Sequence, residues 1–293
     1  MIRLARTHRP TRTPLSAAAL TAVVGLTACA GSTGGGSEAP SGDASADASA
    51  EYVTEGKLTV ATGEPAFYPW VIENTPESGE GFEAAVAYAV AEELGFAEDD
   101  VVWVRTTFEE AIAPGPKDFD FNLQQFSITD ERKQSVDFSS PYYETTQVVI
   151  TTASSPAADA TSIADLKPLL IGAQTGTTSF QAIESTIAPD QGAQVFNTND
   201  DAKLALENGT VDAIVVDLPT AFYLTGAELT EGVIVGQLPA EAGTGDQFGL
   251  VLEKDSPLTD DVTAAVDALR ESGTLDELAE EWLASAGEAP VLQ

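Results

Sequence analysis

The chain has 293 residues, 43% of them hydrophobic, and carries 47 Asp+Glu against 13 Lys+Arg, a formal net charge of -34. That balance excludes a nucleic-acid partner, whose phosphates require Lys and Arg, and suits a soluble surface outside the cell. A single cysteine, Cys29, excludes an intramolecular disulfide, and a single histidine, His8, leaves no basis for a zinc site or a nucleophile–base pair.

The N-terminus reads as an export signal. MIRLARTHRPTRTPL is basic, and SAAALTAVVGL is an apolar stretch too short to span a bilayer comfortably. It runs into LTAC, Leu26 to Cys29, which resembles the bacterial lipoprotein cleavage site, where the cysteine becomes the lipidated first residue. Residues 1–29 are therefore expected to be a signal peptide, and its removal takes His8 and Met1 with it. Residues 30–51 (AGSTGGGSEAPSGDASADASAE) hold no large apolar residue and are expected to form a disordered tether. Such a chain reaches on the order of 25 Å from its anchor. No apolar run long enough to cross a membrane follows residue 50.

The body, 52–293, is long enough for one large or two smaller domains. KLTVAT (57–62) alternates as a strand does. GFEAAVAYAVAEELGF (81–96) places Phe82, Val86, Val90 and Leu94 at helical spacing and closes on Gly95. VVWVRTT (101–107) and DFDFNLQQF (118–126) read as strands, the second leading into a helix around TDERKQSV. TTQVVITTA (145–153) is a β-rich run suited to a crossover. The pattern then restarts: strand LLIGAQ, helix TTSFQAIESTI, strand AQVFN, helix DDAKLALENG, strand VDAIVVD, helix PTAFYLTGA. A second β-rich run, QFGLVLEK (247–254), precedes two C-terminal helices, the first with Pro257 near its start. This alternation predicts an α/β protein with a mostly parallel sheet in each of two lobes, the second inserted into the first: 52–145 plus 246–293, and 146–245. One continuous doubly wound sheet fits the local pattern equally well.

Four clusters follow expected strand ends, where α/β sheets gather ligands. Ser127, Thr129 and Arg132 follow FDFNL. Arg132 either presents its planar fork to a carboxylate or pairs with a neighbour such as Asp137, with Thr129 as a helix cap. In GAQTGTTSF (172–180) the N–H groups of Thr177, Thr178 and Ser179 either face an anion or belong to an ordinary N-cap. Asp217, closing VDAIVVD before a proline, either receives an ammonium or caps the next helix. TGEPAFYPW supplies Glu64, Phe67 and Trp70, which with Phe108 either line an apolar slot or belong to the core. A cation, an anion, helix N–H groups and aromatics together suit a small zwitterion.

GKLTVAT, GFEAAVAYAVAEELG, DFDFNLQQFSITDERKQSVDFSSPYY, IGAQTGTTS, LALENGTVDAIVVDLPTA and LRESGTLDELAEEW, in this order over about 56–286, resemble the family 3 extracellular solute-binding proteins, the polar amino acid receptors of ABC importers. The resemblance implies a type II periplasmic-binding-protein-like fold: two α/β lobes, two hinge strands and a ligand cleft between them. It also implies a monomer without cofactor, metal or catalysis, lipid-anchored at the extracellular face of the membrane, with an ABC permease as partner. An enzyme on the same fold, of the small-molecule dehydratase kind, is the alternative. By position, Arg132 matches the arginine that binds the ligand carboxylate, with Ser127 and the N–H groups of Thr177, Thr178 and Ser179 beside it. Asp217 matches the acid for the ammonium, Phe67 and Phe108 the aromatics flanking the side chain, and Glu64 an acid reading its distal end. Gln124 and Gln125 stand where many basic amino acid binders carry small residues, Glu64 replaces a more usual Asp, and Phe67 a frequent Tyr. Glu64 points to a cationic or amide-bearing ligand, the glutamines to a reshaped pocket.

Overall fold

The strand LTVATG contains no charged side chain, and all six residues are buried. It is β1 (Leu58–Gly63). In chain order there follow β2 (Val101–Thr106), β3 (Phe121–Asn122), β4 (Val136–Phe138), β5 (Tyr143–Thr145), β6 (Gln147–Thr152), β7 (Ile171–Gln174), β8 (Gln194–Phe196), β9 (Ala213–Asp217), β10 (Gly232–Gln237), β11 (Asp246–Phe248) and β12 (Val251–Glu253). The helices are α1 (Phe82–Glu93), α2 (Phe108–Ile112), α3 (Ile163–Leu166), α4 (Thr178–Ala182), α5 (Asn199–Glu207), α6 (Leu218–Tyr223), α7 (Thr259–Ser272) and α8 (Thr274–Leu283). This computed structural model describes residues 52–239, 245–283 and 287–293. The signal peptide, the lipidated Cys29 and the tether expected over 1–51 lie outside the described residues.

Two five-stranded sheets form, ordered β2-β1-β3-β12-β4 and β10-β6-β9-β7-β8. The chain is therefore two-lobed, and a single continuous sheet is ruled out. In the first lobe, Phe82, Val86 and Val90 of α1 pack with Val262, Val266 and Leu269 of α7 and Leu275 of α8 against Leu58 and Val60. In the second, β6 is buried on both faces. Val149 points into one apolar cluster, Val148 and Ile150 into another. Period-two alternation between two covered faces explains why QVVIT reads as a nearly continuous apolar run.

The expected mostly parallel sheets are corrected: half of each sheet is antiparallel. β1 runs parallel to β2 and β3, but β12 runs antiparallel to β3 and β4. β9 runs parallel to β7, while β6 is antiparallel to both β9 and β10. The antiparallel members flank the chain's crossings between lobes, where a strand arrives from the opposite direction. The crossings are β5 and β11, an antiparallel pair of their own.

Three runs are shorter than expected. Only Phe121–Asn122 of 118–126 is strand, because the backbone turns through a left-handed Gln125 (φ 51°). The helix expected over TDERKQSV is a single 3-10 turn, Arg132–Gln134. QFGLVLEK breaks at Gly249, where a Cβ would lie 2.9 Å from the Ile128 side chain. β10 was not anticipated. The last residues also depart from the expected lobe 1 range of 246–293: Val291 bridges Gln237 of β10, the Leu292 N–H donates to the Gln237 carbonyl at 2.9 Å, and Leu292 is buried in the second lobe.

Candidate functional site

Arg132 belongs to the first lobe and is nearly buried. Its Nη1 donates to the Ser127 carbonyl at 2.6 Å, its Nη2 crosses to the Gly176 carbonyl of the second lobe at 2.8 Å, and its guanidinium carbon lies 5.3 Å from the centre of the Phe108 ring. Phe108 in turn stacks on Phe126 at 4.7 Å. Neither carbonyl is charged, so the guanidinium charge stays uncompensated by direct contact. Burial lowers its pKa to about 10, opposed by the field of Asp246 and Asp217. The pairing with Asp137 allowed by the sequence does not form; Asp137 holds Lys254 at 2.8 Å. Thr129 does accept from the Arg132 N–H at 3.1 Å.

Facing it across the cleft, Asp217 ends β9 and occupies the N-cap position of α6 without making a capping bond. Its Oδ1 instead accepts from Gln147 Nε2 at 2.8 Å. The carboxyl is pushed up to about 8, first by burial and then by the nearby Asp246 carboxylate, against the hydrogen bond from Gln147. Gln147 and Asp246 are functional candidates that sequence reasoning missed. Gln147 Nε2 also donates to Asp246 Oδ2 at 2.8 Å, and Gln147 Oε1 accepts from Ser179 Oγ at 2.6 Å. The available signal was positional: both residues lie at the lobe crossings, Gln147 two residues after β5 and Asp246 as the first residue of β11.

A cavity of about 40 Å³ lies between the lobes, lined by Phe67, Phe108, Gln124, Gln125, Ser127, Arg132, Thr177, Thr178, Ser179 and Asp217, together with Gln174, Asn199 and Val216. Every candidate ligand residue except Glu64 is brought together there. Glu64 faces an adjoining cavity of about 240 Å³, which also touches Phe67, Phe108 and Gln124. Thr177 caps α4, its Oγ1 accepting from the Phe180 N–H at 3.1 Å, so the cap and the cleft-facing position coexist. Ser127 Oγ and Thr178 Oγ1 meet across the lobes at 3.0 Å. Gln125 is anchored from behind: its N–H donates to Glu83 at 2.7 Å, and its side-chain amide and the Tyr142 hydroxyl donate to the same carboxyl. Trp70 does not line the slot. It packs on Phe82, Tyr143 and Phe248 and donates from Nε1 to Thr220 of the other lobe at 3.1 Å.

A two-lobed α/β body with a guanidinium on one wall of a cleft and a carboxyl on the other defines a small-molecule binding protein. Residues 58–285 match the bacterial extracellular solute-binding proteins, family 3, and the chain belongs to that family, with its type II periplasmic-binding-protein fold. It is similar to the L-arginine-binding protein of Pseudomonas aeruginosa, with 30% identity over 76% of this chain and 87% of that protein. Among solved structures it is similar to an ancestral arginine-binding protein bound to glutamine (TM-score 0.65, 30% identity, 78% of this chain and 97% of the other). It is also similar to AncCDT-1, an ancestral amino acid-binding protein described as a precursor of cyclohexadienyl dehydratase (TM-score 0.64, 30% identity, 78% and 96%).

Proposed function

We propose that this chain is the substrate-capturing receptor of an ABC importer for a polar amino acid. One observation carries the reading: the Arg132 guanidinium of one lobe and the Asp217 carboxyl of the other line the same cleft. An α-amino acid supplies the complement of both, a carboxylate for Arg132 and an ammonium for Asp217, and so joins the two walls. Ser127 and the N–H groups of Thr177, Thr178 and Ser179 complete the carboxylate end, and Phe67 and Phe108 flank the side chain. Ligand that contacts both lobes binds the closed form more tightly than the open one and shifts that equilibrium. The permease then reads the closed pair of lobes.

We assign lobe 1 to 52–145 with 246–288, and lobe 2 to 146–245 with the docked C-terminal residues. The receptor works as a monomer held at the outer face of the membrane by lipid on Cys29, with 30–51 as its tether. Cys29→Ser is expected to release it into the medium. It binds without catalysis. Residues 52–293 contain neither His nor Cys, and a ligand recovered unchanged after incubation is the expected result by mass spectrometry.

The test is a thermal-shift screen of the full chain against the twenty amino acids, ornithine and citrulline. A ligand bound only by the native state raises the melting temperature. A shift with at least one amino acid, lost in Arg132→Ala, supports the reading. No shift with any of them overturns it.

A further inference from the structure

At the distal end of the cleft, Glu64 already has partners within its own lobe. Asn74 Nδ2 donates to its Oε1 at 2.9 Å, and Arg105 Nε lies 3.7 Å from its Oε2. Arg105 is itself fixed. Its Nη1 donates to the Gly63 carbonyl at 2.6 Å and to Asn74 Oδ1 at 2.7 Å, and its Nη2 to the Asn74 carbonyl at 2.7 Å. Glu64 is thus hydrogen-bonded at one oxygen by Asn74, and Arg105, at ion-pair distance from the other, partly answers its charge although the Glu64 side chain is 57% exposed. The polar lining of the adjoining cavity beyond its two exposed acids, Glu64 and Glu109, is hydroxyls and amides, Thr106, Gln124, Gln174 and Asn197 among them, set beside Pro65, Phe67 and Phe108.

Gln124 lines both cavities, and its Oε1 is buried without a hydrogen-bond partner among the described residues. Its Nε2 lies against Gly63, 2.7 Å from where a Cβ would stand. A buried acceptor left unpaired is costly, so this amide calls for an N–H donor. A carboxamide offers two N–H donors and an acceptor, the complement of a glutamine side chain. A guanidinium or ammonium offers donors only and needs a carboxylate that is not already paired.

We propose that the side-chain end of this cleft takes an uncharged carboxamide, glutamine-like in chemistry, and that Arg105 sets this preference by occupying Glu64. The inference rests on the amino acid receptor reading above and narrows its substrate class. Arg105 is a specificity-determining residue that acts through Glu64, and Gln124 is the reader of the ligand amide.

The experiment is titration calorimetry of the full chain with glutamine, asparagine, arginine, lysine and glutamate, repeated with Glu64→Gln, Arg105→Met and Gln124→Leu. The wild-type chain is expected to bind glutamine at least about tenfold more tightly than arginine, since a site built to hydrogen-bond one group rejects an unmatched one. Glu64→Gln is expected to keep glutamine preferred over arginine, since its acid sits in an exposed ion pair of small worth. Arg105→Met shifts the glutamine-to-arginine ratio toward arginine by about fivefold or more, and Gln124→Leu weakens glutamine selectively. Arginine or lysine binding more tightly than glutamine, or loss of binding in Glu64→Gln, overturns the inference and leaves the receptor reading standing. Failure of every amino acid to bind overturns both. If Arg105→Met does not fold, as judged by its melting transition, the wild-type and Glu64→Gln titrations decide.

Discussion

Arg132 is held by two carbonyls, and the fork that remains faces the cleft. Removing it leaves a ligand carboxylate desolvated in a closing cleft without its charge partner. Breaking a buried pair in this way costs about 3–5 kcal/mol, so Arg132→Ala is expected to lower affinity by at least two orders of magnitude, read by calorimetry. Asp217 makes a different demand. With its pKa raised to about 8 by burial and Asp246, it is largely protonated in the free protein at neutral pH, yet it must be a carboxylate to hold an ammonium. Binding at pH 7 should therefore release a proton, and affinity should climb as pH rises toward 8. Calorimetry in buffers of different ionisation enthalpy measures the proton directly. Asp217→Asn should abolish the release and lower affinity. Arg132, Ser127, Thr178 and Asp217 stood out in the sequence as residues after expected strand ends, but spacing left capping or pairing open for each, and their ligand roles came from the family resemblance. Gln147 and Asp246 did not stand out, because no local pattern marks a side chain that matters only where the two lobes meet. Glu64 shows the opposite limit: its position was visible, but its partners Arg105 and Asn74 lie 41 and 10 residues away along the chain, and only the fold brings them to it.

The helices and strands themselves were legible where periodicity ran long. α1, α7, β6 and β9 fall where the apolar spacing places them. The failures have local causes. Gln125 adopts a left-handed backbone because Glu83 captures both its N–H and its side-chain amide, and this ends β3 early. Pairing direction was invisible because a strand entering from the other lobe carries the same apolar pattern either way. Contacts between the lobes outside the crossings also bear on closure. Trp70 of the first lobe donates to Thr220 on α6 of the second at 3.1 Å, and the Tyr68 and Tyr223 rings meet at 4.5 Å, tilted by 37°. Thr220→Val keeps the shape of α6 and strands the indole N–H when the lobes meet. An unpaired buried donor costs about 1–3 kcal/mol, and the open form, where water can reach the indole, escapes that cost. Ligand affinity should fall roughly 5- to 100-fold. Small-angle scattering at saturating ligand should show the same closed shape as wild type, while the ligand-free ensemble shifts toward the open one. An unchanged affinity would mean that this contact does not distinguish the two states.

The whole molecule carries a formal charge of -34, and burial resists ionisation at several of its carboxyls, most strongly at Glu83 and Asp217. Burial raises Glu83 to about 7 despite hydrogen bonds from Tyr142 and Gln125, and burial together with Asp246 raises Asp217 to about 8. Both bind protons more tightly in the folded chain than in the unfolded one. Their stabilisation is therefore fully present below the ordinary carboxylate pKa and is lost as pH rises through about 7 and about 8, respectively. Repulsion among the remaining acids works in the same direction. The ligand-free protein should melt at progressively lower temperature as pH is raised from about 5 to about 8.5, within the window where these two groups titrate. Glu83→Gln should flatten the lower part of that slope. The variant is expected to fold: Gln Oε1 still accepts from Tyr142 and from the Gln125 backbone, and a turned Gln125 amide matches the new donor. Saturating amino acid should flatten the upper part, because an ammonium beside Asp217 stabilises its carboxylate and removes the advantage of the protonated form. One variant and one ligand thus separate the titration of the scaffold behind Gln125 from that of the cleft itself. A melting temperature that rises with pH across this range would show that Glu83 and Asp217 do not dominate the acid balance of the fold.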